Sequence, residues 1–165
     1  MKIGFRRMLL RILLAGLVLI ALAAVGAVLY LRNTVAPVEG TFTVSHLARP
    51  VTITFDAFER PYVQAETLED ALFAEGWLHA SHRLWQMELL RRAGKGRLAE
   101  LLGGGMVASD EELWRMGVPQ LARTLEENAT DDMRRYVDAY VHGVNAAIAS
   151  GTFMALEFLL LQTTP

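Results

Sequence analysis

The chain has 165 residues, a formal net charge of −2 at pH 7 and no cysteine, which excludes disulfide bonds, thiolate metal sites and a cysteine nucleophile. Four of the 16 Lys and Arg residues precede a long apolar run, so residues 32–165 carry the other 12 basic residues, all 18 acidic residues and a net charge of −6. A nucleic-acid partner is not expected, because phosphate binding requires concentrated positive charge.

The first predicted element is an uncharged apolar run, residues 12–31, which follows a basic cytoplasmic segment, residues 1–11. Twenty helical residues span about 30 Å, the thickness of a bilayer's hydrocarbon core. Because basic residues are concentrated before the run, the positive-inside rule places the body of the chain outside the cytoplasm. The sequence predicts a single-pass signal-anchor in the inner membrane, with a periplasmic or extracellular body. A cleaved signal peptide is the alternative, although its apolar core is typically only about 7–15 residues long.

A linker, residues 32–40, separates this run from short extended segments. The alternation over Val51–Phe55 is typical of a half-buried strand. A turn at Asp56–Pro61 and a return strand at Tyr62–Ala65 complete a predicted hairpin, and Phe42–His46 is a weaker strand candidate. These strands would leave sheet edges that need partners.

The rest of the chain is predicted to be helical. Thr67 and Asp70 form a capping-box pattern that opens a helix to about Ala93. Its predicted apolar face comprises Phe73, Trp77, Ala80, Leu84 and Met87. A short helix at Arg97–Leu102 follows, ended by the glycines 103–105.

Three further helices are predicted after the glycines. Ser109 with Glu112 suggests a cap for a helix through Trp114, and Pro119 suits the first turn of a helix to about Asn128. Thr130 caps the last clear helix, which Gly151 ends. The predicted apolar stripe of that helix comprises Met133, Val137, Tyr140, Val144 and Ile148. Because the strands have no completed sheet and the apolar run 153–161 has no evident partner, we expect this α+β chain to be the first part of a larger protein.

Several polar groups are candidates for chemistry. Glu75, His79 and His82 share a helix face and could hold a divalent metal, but they do not form a known zinc pattern; a polar face with one hydrogen-bonded histidine is the alternative. The basic cluster over residues 91–97 favours a helix C-terminus stabilised by positive charge, and an anionic ligand or a lipid headgroup is the alternative. No nucleophile pattern surrounds any of the four serines, Ser45, Ser81, Ser109 and Ser150.

One stretch carries a specific resemblance. Residues 74–103 read AEGWLHASHRLWQMELLRRAGKGRLAELLG, which resembles the α-subunit signature of the penicillin acylase family. The matching positions are Ala74, Gly76, Trp77, His79, Ala80, Arg83, Leu84, Trp85, Gln86, Met87, Glu88, Arg91, Arg92, Gly96, Ala99, Glu100 and Gly103. The preceding flank VTITFDAFERPYVQAET resembles the family's strand and turn. YVHGVNAAI resembles its later helix and MALEFLLLQTTP the segment before a P-x-x-W motif, so the resemblance covers residues 41–165.

The chain departs from the family pattern at four positions. Phe55 replaces an arginine, Glu59 a turn glycine, Tyr62 a histidine and His82 an aspartate. The glycine replacement matters most if the turn requires a positive φ. These differences suggest a divergent branch and leave the substrate less defined than the fold.

The resemblance implies an N-terminal-nucleophile hydrolase with an αββα sandwich, whose precursor cleaves itself into α and β subunits. The new N-terminal serine of the β subunit attacks a linear amide, with its own amine as the base. Implied substrates include β-lactam side-chain amides and N-acyl homoserine lactones. The nucleophile and the calcium ligands lie beyond the matched stretch, so no catalytic or metal residue and no cofactor is assigned to this segment.

Two hypotheses follow. In the first, the chain is the N-terminal part of a membrane-anchored amidohydrolase whose partners are the membrane, the β-subunit region of the same precursor and an acyl amide substrate. The motif residues Arg83, Gln86, Glu88, Arg91 and Arg92 are then expected to form a buried polar network that positions the α-subunit helix. In the second, the chain is a complete, non-catalytic, anchored helical module that binds a partner at the cell envelope.

Overall fold

The computed structural model describes residues 2–33, 35, 39–151 and 155–165. These residues divide into two compact units, Met1–Val35 and Ala36–Pro165. Parts of the predicted linker 32–40 and of the apolar run 153–161 lie outside the described residues. The chain is a mostly helical α+β protein with one two-stranded sheet among the described residues.

The first unit is a single helix, α1, Lys2–Asn33. Its segment Arg11–Arg32 has a mean hydropathy of 2.9, and none of it is buried within the protein. The helix is long and apolar enough to cross a membrane, and a signal sequence near an N-terminus has the same properties.

The second unit begins with a loop and the predicted hairpin. Strands β1, Thr52–Phe55, and β2, Pro61–Gln64, pair antiparallel with Ile53 opposite Val63. The prediction of a strand at Phe42–His46 is wrong, because His46 has a φ of 74°, which a strand does not accommodate.

The hairpin turn has the strained geometry that the sequence suggested. Asp56 Oδ1 accepts hydrogen bonds from the backbone N–H groups of Phe58 and Arg60, both at 2.9 Å. This folds the turn so that Glu59 has a φ of 59°, in the left-handed region that favours glycine. Glu59 therefore occupies a position where a glycine would be less strained.

Two long helices form the centre of the unit. Helix α2, Leu68–Gly94, begins where Thr67 Oγ1 accepts a hydrogen bond from the N–H of Asp70 at 3.1 Å. Helix α6, Asp131–Ser150, begins with the same bond from Met133 to Thr130 Oγ1, 3.2 Å, and ends at Gly151. The predicted boundaries of both helices are confirmed. Helix α2 has one kink, at Arg83, where φ is −137° and ψ is 18°.

The two helices cross at a pair of glycines. A Cβ atom at Gly76 would lie 2.1 Å from the carbonyl oxygen of Tyr140, and one at Gly143 would lie 1.9 Å from that of Phe73. Both distances are far below van der Waals contact, so only glycine fits at either position. Next to this crossing lies a hydrophobic core made by Ala80, Leu84, Ala147 and Phe158.

Shorter helices complete the second unit. They are α3, Ala99–Leu102, a 3₁₀ turn at Gly104–Met106, α4, Val107–Arg115, α5, Val118–Glu127, and α7, Leu156–Leu160. The prediction that Ser109 caps α4 is wrong, because the 3₁₀ turn leads directly into α4 and places Ser109 inside the helix. The predicted α6 stripe is only partly buried: Tyr140, Val144 and Ile148 are half-buried, whereas Met133 and Val137 are exposed.

Candidate functional site

The centre of the motif helix is a buried carboxylate, Glu88. Its side chain is 2% exposed and lies on α2 one turn before two arginines. Arg91 donates two hydrogen bonds to the carboxylate, from Nε at 2.7 Å and from Nη2 at 2.9 Å, and Arg92 Nε donates a third at 2.5 Å. This fork geometry satisfies both oxygens of a charge that is otherwise costly to bury.

Arg92 extends these contacts to two other segments. Its Nη1 donates to Glu100 Oε2 on α3, and its Nη2 donates to Thr163 Oγ1 near the end of the chain, each at 3.3 Å. Arg97 in turn donates two hydrogen bonds to Glu100, at 2.6 and 2.8 Å. We call these residues the Glu88 network; its members are Glu88, Arg91, Arg92, Arg97, Glu100 and Thr163. The network joins α2, α3 and the segment after α7.

The network sets the charge state of its central acid. Burial acts to raise the pKa of Glu88, but the hydrogen bonds and positive charges of Arg91 and Arg92 outweigh burial, so the pKa is lowered from its ordinary value of 4.5. Glu88 is therefore ionised at neutral pH. Arginines of the same helix, α2, compensate the negative charge of the buried Glu88 carboxylate. This arrangement suits a positioning contact better than a proton-transfer group.

Two of the five motif residues lie apart from this network. They pair with one another through Arg83 Nη1 and Gln86 Oε1 at 3.3 Å. The sequence predicted burial for all five motif residues, but Arg83, Gln86 and Arg91 are exposed. Arg83 is also the residue at the kink in α2. The positioning role that the sequence assigns to the five residues remains a prediction.

The candidate metal ligands on α2 point to different partners. His79 Nδ1 lies 3.0 Å from the hydroxyl of Tyr140 on α6, whereas His82 Nδ1 lies 3.0 Å from the carbonyl oxygen of Leu78 in its own helix. Glu75 Oε1 is 3.9 Å from His79 Nε2. Within the described residues, no group of three or more His, Asp or Glu side chains is arranged to hold a metal ion. His79 instead makes the hydrogen bond to a neighbouring segment that was the alternative interpretation.

The serine hydroxyls have helical or loop surroundings. Ser81 Oγ donates to the carbonyl oxygen of Trp77 at 2.7 Å, and Ser150 Oγ donates to that of Ala147 at 2.6 Å. Ser109 lies inside α4, and Ser45 lies in the loop before the hairpin. A hydroxyl that donates to its own helix is not aligned with a base, so these contacts do not form a nucleophile–base pair.

A cavity of about 380 Å³ lies where the hairpin and the preceding loop meet α2. Phe42, Ile53, Phe55, Trp77 and His82 line it. The ring of Phe42 packs on Trp77 with centroids 5.1 Å apart, and that of Phe55 lies 6.2 Å from His82. Two positions that depart from the family pattern, Phe55 and His82, thus meet at one cavity.

Sequence reasoning missed two buried acids that hold loops in place. Asp70 is 2% exposed, and its carboxylate accepts hydrogen bonds from the N–H groups of Ala48 and Arg49 at 2.8 and 3.2 Å. Asp110 is 8% exposed and accepts the N–H groups of Leu98 and Ala99 at 2.8 and 2.7 Å, at the start of α3. The sequence shows that each acid lies near the start of a helix, but it does not show which distant backbone N–H groups the carboxylate binds.

Comparisons with known proteins identify the family. A sequence model described as penicillin amidase matches residues 50–165. Penicillin acylase 2 proenzyme from Pseudomonas sp. (strain SE83) is 36% identical over 135 residues, which are 82% of this chain and 17% of that protein. Acyl-homoserine lactone acylase QuiP from Pseudomonas aeruginosa is 37% identical over 114 residues, 69% of this chain and 14% of that protein.

A solved structure agrees in fold. The thermostable penicillin G acylase from Alcaligenes faecalis aligns with a TM-score of 0.63 and 23% identity over 72% of this chain and 65% of that chain. The chain spans only a small part of the curated relatives' length, but the family match covers most of its own. This chain belongs to the penicillin amidase family.

Proposed function

We propose that the chain is the N-terminal part of the precursor of an amidohydrolase that cleaves linear amide bonds by N-terminal-nucleophile catalysis. The observation that carries the proposal is the family match over residues 50–165, together with two acylases that are 36% and 37% identical to the chain. The substrate class is an acyl amide: a β-lactam side-chain amide, an N-acyl homoserine lactone or a related compound.

In this proposal the segment positions the catalytic apparatus and does not supply it. The nucleophilic serine, its amine base and the oxyanion hole belong to the part of the precursor that follows residue 165. The Glu88 network supports a positioning role, since it ties α2 to α3 and to the segment after α7 with charge-assisted hydrogen bonds. Calcium, which the resemblance implies for the complete enzyme, would be bound outside this segment.

The helix α1 is the proposed tether. Its apolar segment Arg11–Arg32 has the length of a membrane span, and four basic residues precede its uncharged part. We therefore place the N-terminus in the cytoplasm and the second unit in the periplasm or outside the cell, as an uncleaved single-pass protein of the inner membrane. A cleaved signal peptide would release the same body as a soluble enzyme, and intact-mass measurement of the mature protein distinguishes the two.

The test is expression of the complete gene product. Mass spectrometry should find two chains generated from one precursor, and the purified protein should hydrolyse members of a panel of penicillins and N-acyl homoserine lactones. A reading frame that stops after Pro165, or a longer protein that stays uncleaved and inactive on the whole panel, contradicts the proposal. A stop after Pro165 with a cooperatively folding second unit would favour the anchored binding module instead.

A matched pair of variants tests the positioning role. Glu88→Gln removes the charge at the centre of the Glu88 network and should slow the appearance of the two-chain product. Glu112→Gln removes an exposed acid that pairs with Arg115 on α4 and should mature normally. If both variants mature at the wild-type rate, the network does not position the segment for processing.

A further inference from the structure

Two consecutive helices of the second unit expose a common apolar surface. Along α5 this surface contains Leu121 and Leu125, and along α6 it contains Met133, Val137 and Val141. Their exposed fractions are 59%, 64%, 56%, 51% and 42% in that order. We call these five residues the α5–α6 apolar face.

The two rows of residues meet at one groove, where Leu125 of α5 lies near Met133 and Val137 of α6. Positions four apart on a helix lie on one side of it, so each helix contributes one stripe. Leu125, Ala129, Met133 and Val137 line a single groove of about 630 Å³ between the two stripes. Isolated exposed apolar residues are ordinary, but a continuous apolar groove marks a site of contact with another molecule or segment.

The charged residues around the groove argue against an anionic lipid surface. Glu126 and Asp138 are negative, and the one basic residue that lines the groove is Arg134. Arg134 donates hydrogen bonds to the carbonyl oxygens of Ala129 and Glu127, at 3.2 and 3.0 Å. Its guanidinium is therefore engaged with the end of α5, and the groove does not present the basic cluster that such membranes attract.

The relatives indicate what covers the groove. The matched stretches are 17% and 14% of the lengths of the two acylases, so most of each relative has no counterpart in this chain. Surfaces that are permanently buried within an assembly resemble a domain core cut in half, with an apolar centre. We infer that the α5–α6 apolar face is packed, in the complete protein, against a segment of the same polypeptide that follows residue 165. The inference rests on the proposed function and adds to it the surface that the rest of the precursor contacts.

Single cysteines test this directly, because the 165 residues contain no cysteine. Val137→Cys places a thiol in the groove, and Leu125→Cys gives a second groove position if the first variant folds poorly. Asp132→Cys is the control, since its side chain is 71% exposed and lies outside the groove residues. Each variant is made in the complete gene product and in the 165-residue chain, and maleimide labelling is followed with and without urea.

We expect the groove thiols of the folded complete protein to react at least about tenfold more slowly than in urea. Those of the 165-residue chain should react freely when it is labelled below the concentration at which light scattering detects aggregation. The control thiol should react freely in both proteins. Groove thiols that react as fast as the control in the complete protein overturn the inference. Groove thiols that already react slowly in the 165-residue chain also overturn the inference. A doubled native mass would then identify a second copy as the occupant, and a dependence on added vesicles would identify a lipid surface.

The same preparations separate this inference from the proposed function. An active two-chain acylase with reactive groove thiols contradicts the docking surface and leaves the enzyme assignment intact. Protected groove thiols in a longer protein that is inactive on the amide panel support the surface and contradict the assignment.

Discussion

Helix α6 packs differently on its two sides. Towards α2, Gly143 lies so close to the backbone of Phe73 that a single methyl group has no room. Towards α5, Met133 and Val137 line an open groove and are more than half exposed. Both sides carry small or apolar residues, yet one is close-packed within this chain and the other is not.

The difference between the two sides of α6 distinguishes contacts that are complete among the described residues from a surface that is left open. The α2–α6 crossing includes the family motif helix and is close-packed among the described residues. The α5–α6 apolar face has the composition of a core and the exposure of a surface. Stability of the second unit should therefore depend strongly on the first side and weakly on the second, and substitutions on each side test this.

The largest effect is expected at the glycine crossing. Gly143→Ala would place a Cβ atom 1.9 Å from the carbonyl oxygen of Phe73, and a backbone atom cannot move aside without shifting α2. We expect a loss of about 3 kcal/mol in the free energy of unfolding, at the upper end of what overpacking typically costs. Urea unfolding followed by tryptophan fluorescence measures it, because all three tryptophans lie in the second unit.

Gly94→Ala is the matched control for that measurement. Gly94 belongs to the other helix of the crossing, α2, and a Cβ atom there would meet nothing within 4 Å. Alanine is the better helix former by up to about 1 kcal/mol, so this variant should be neutral or slightly more stable. If Gly143→Ala unfolded at the same urea concentration as Gly94→Ala, the close crossing of α2 and α6 would be wrong.

The second effect concerns the Glu88 network, which joins α2 to α3 and to the segment after α7. Glu88→Gln leaves the donors of Arg91 and Arg92 without their charged acceptor and should cost about 2 kcal/mol, whereas exposed Glu112→Gln should cost less than about 0.5 kcal/mol. The pKa of Glu88 is lowered in the folded protein, so its contribution is present above the ordinary value of 4.5 and is lost as pH falls through the lower, folded-state pKa.

Because the pKa of Glu88 is lowered, the pH dependence of stability provides a second measurement of the same prediction. The stability difference between wild type and Glu88→Gln should be constant near neutral pH and should shrink only below pH 4.5. A difference that disappears between pH 7 and pH 5 would mean that another group, and not the Glu88 carboxylate, stabilises this side of α2.

The boundaries of the two long helices could be predicted from sequence because their signals are local. Thr67 and Thr130 each bond a backbone N–H three residues ahead, and Gly151 takes the left-handed conformation that ends α6. The possible strain at Glu59 was also readable, because a glycine is usual there and the turn does require a positive φ.

Features that depend on distant partners could not be predicted. The loop before β1 is held by Asp70, more than twenty residues along the chain, which accepts hydrogen bonds from the N–H groups of Ala48 and Arg49. Periodicity placed Met133 on the apolar stripe of α6, but it carried no information on whether another segment covers that side chain. Likewise, the motif identified Arg83 as one of a set without showing that it lies on the exposed side of a kink.

The third effect is a gain of stability at the hairpin turn, which is exposed like the groove yet strained. Glu59→Gly removes the left-handed strain of a side-chain-bearing residue at φ 59° and should stabilise the hairpin by about 0.5–1 kcal/mol. Glu59→Ala is the control, because alanine keeps the Cβ atom that causes the strain. Hydrogen exchange of the β1–β2 amides should slow in the glycine variant alone; equal exchange in both would place the strain elsewhere.

The smallest effect on stability is expected on the α5–α6 apolar face. Leu125 is 64% exposed, so Leu125→Ser should change the free energy of unfolding of the 165-residue chain by no more than about 0.5 kcal/mol. Leu84→Ser on the buried side, where the side chain is 8% exposed, should cost several times more. We also expect the second unit alone to aggregate through its apolar surface, and Leu125→Ser should raise the concentration at which light scattering detects this. If Leu125→Ser were as destabilising as Leu84→Ser, the groove would already be filled within this chain and the two sides of α6 would be alike.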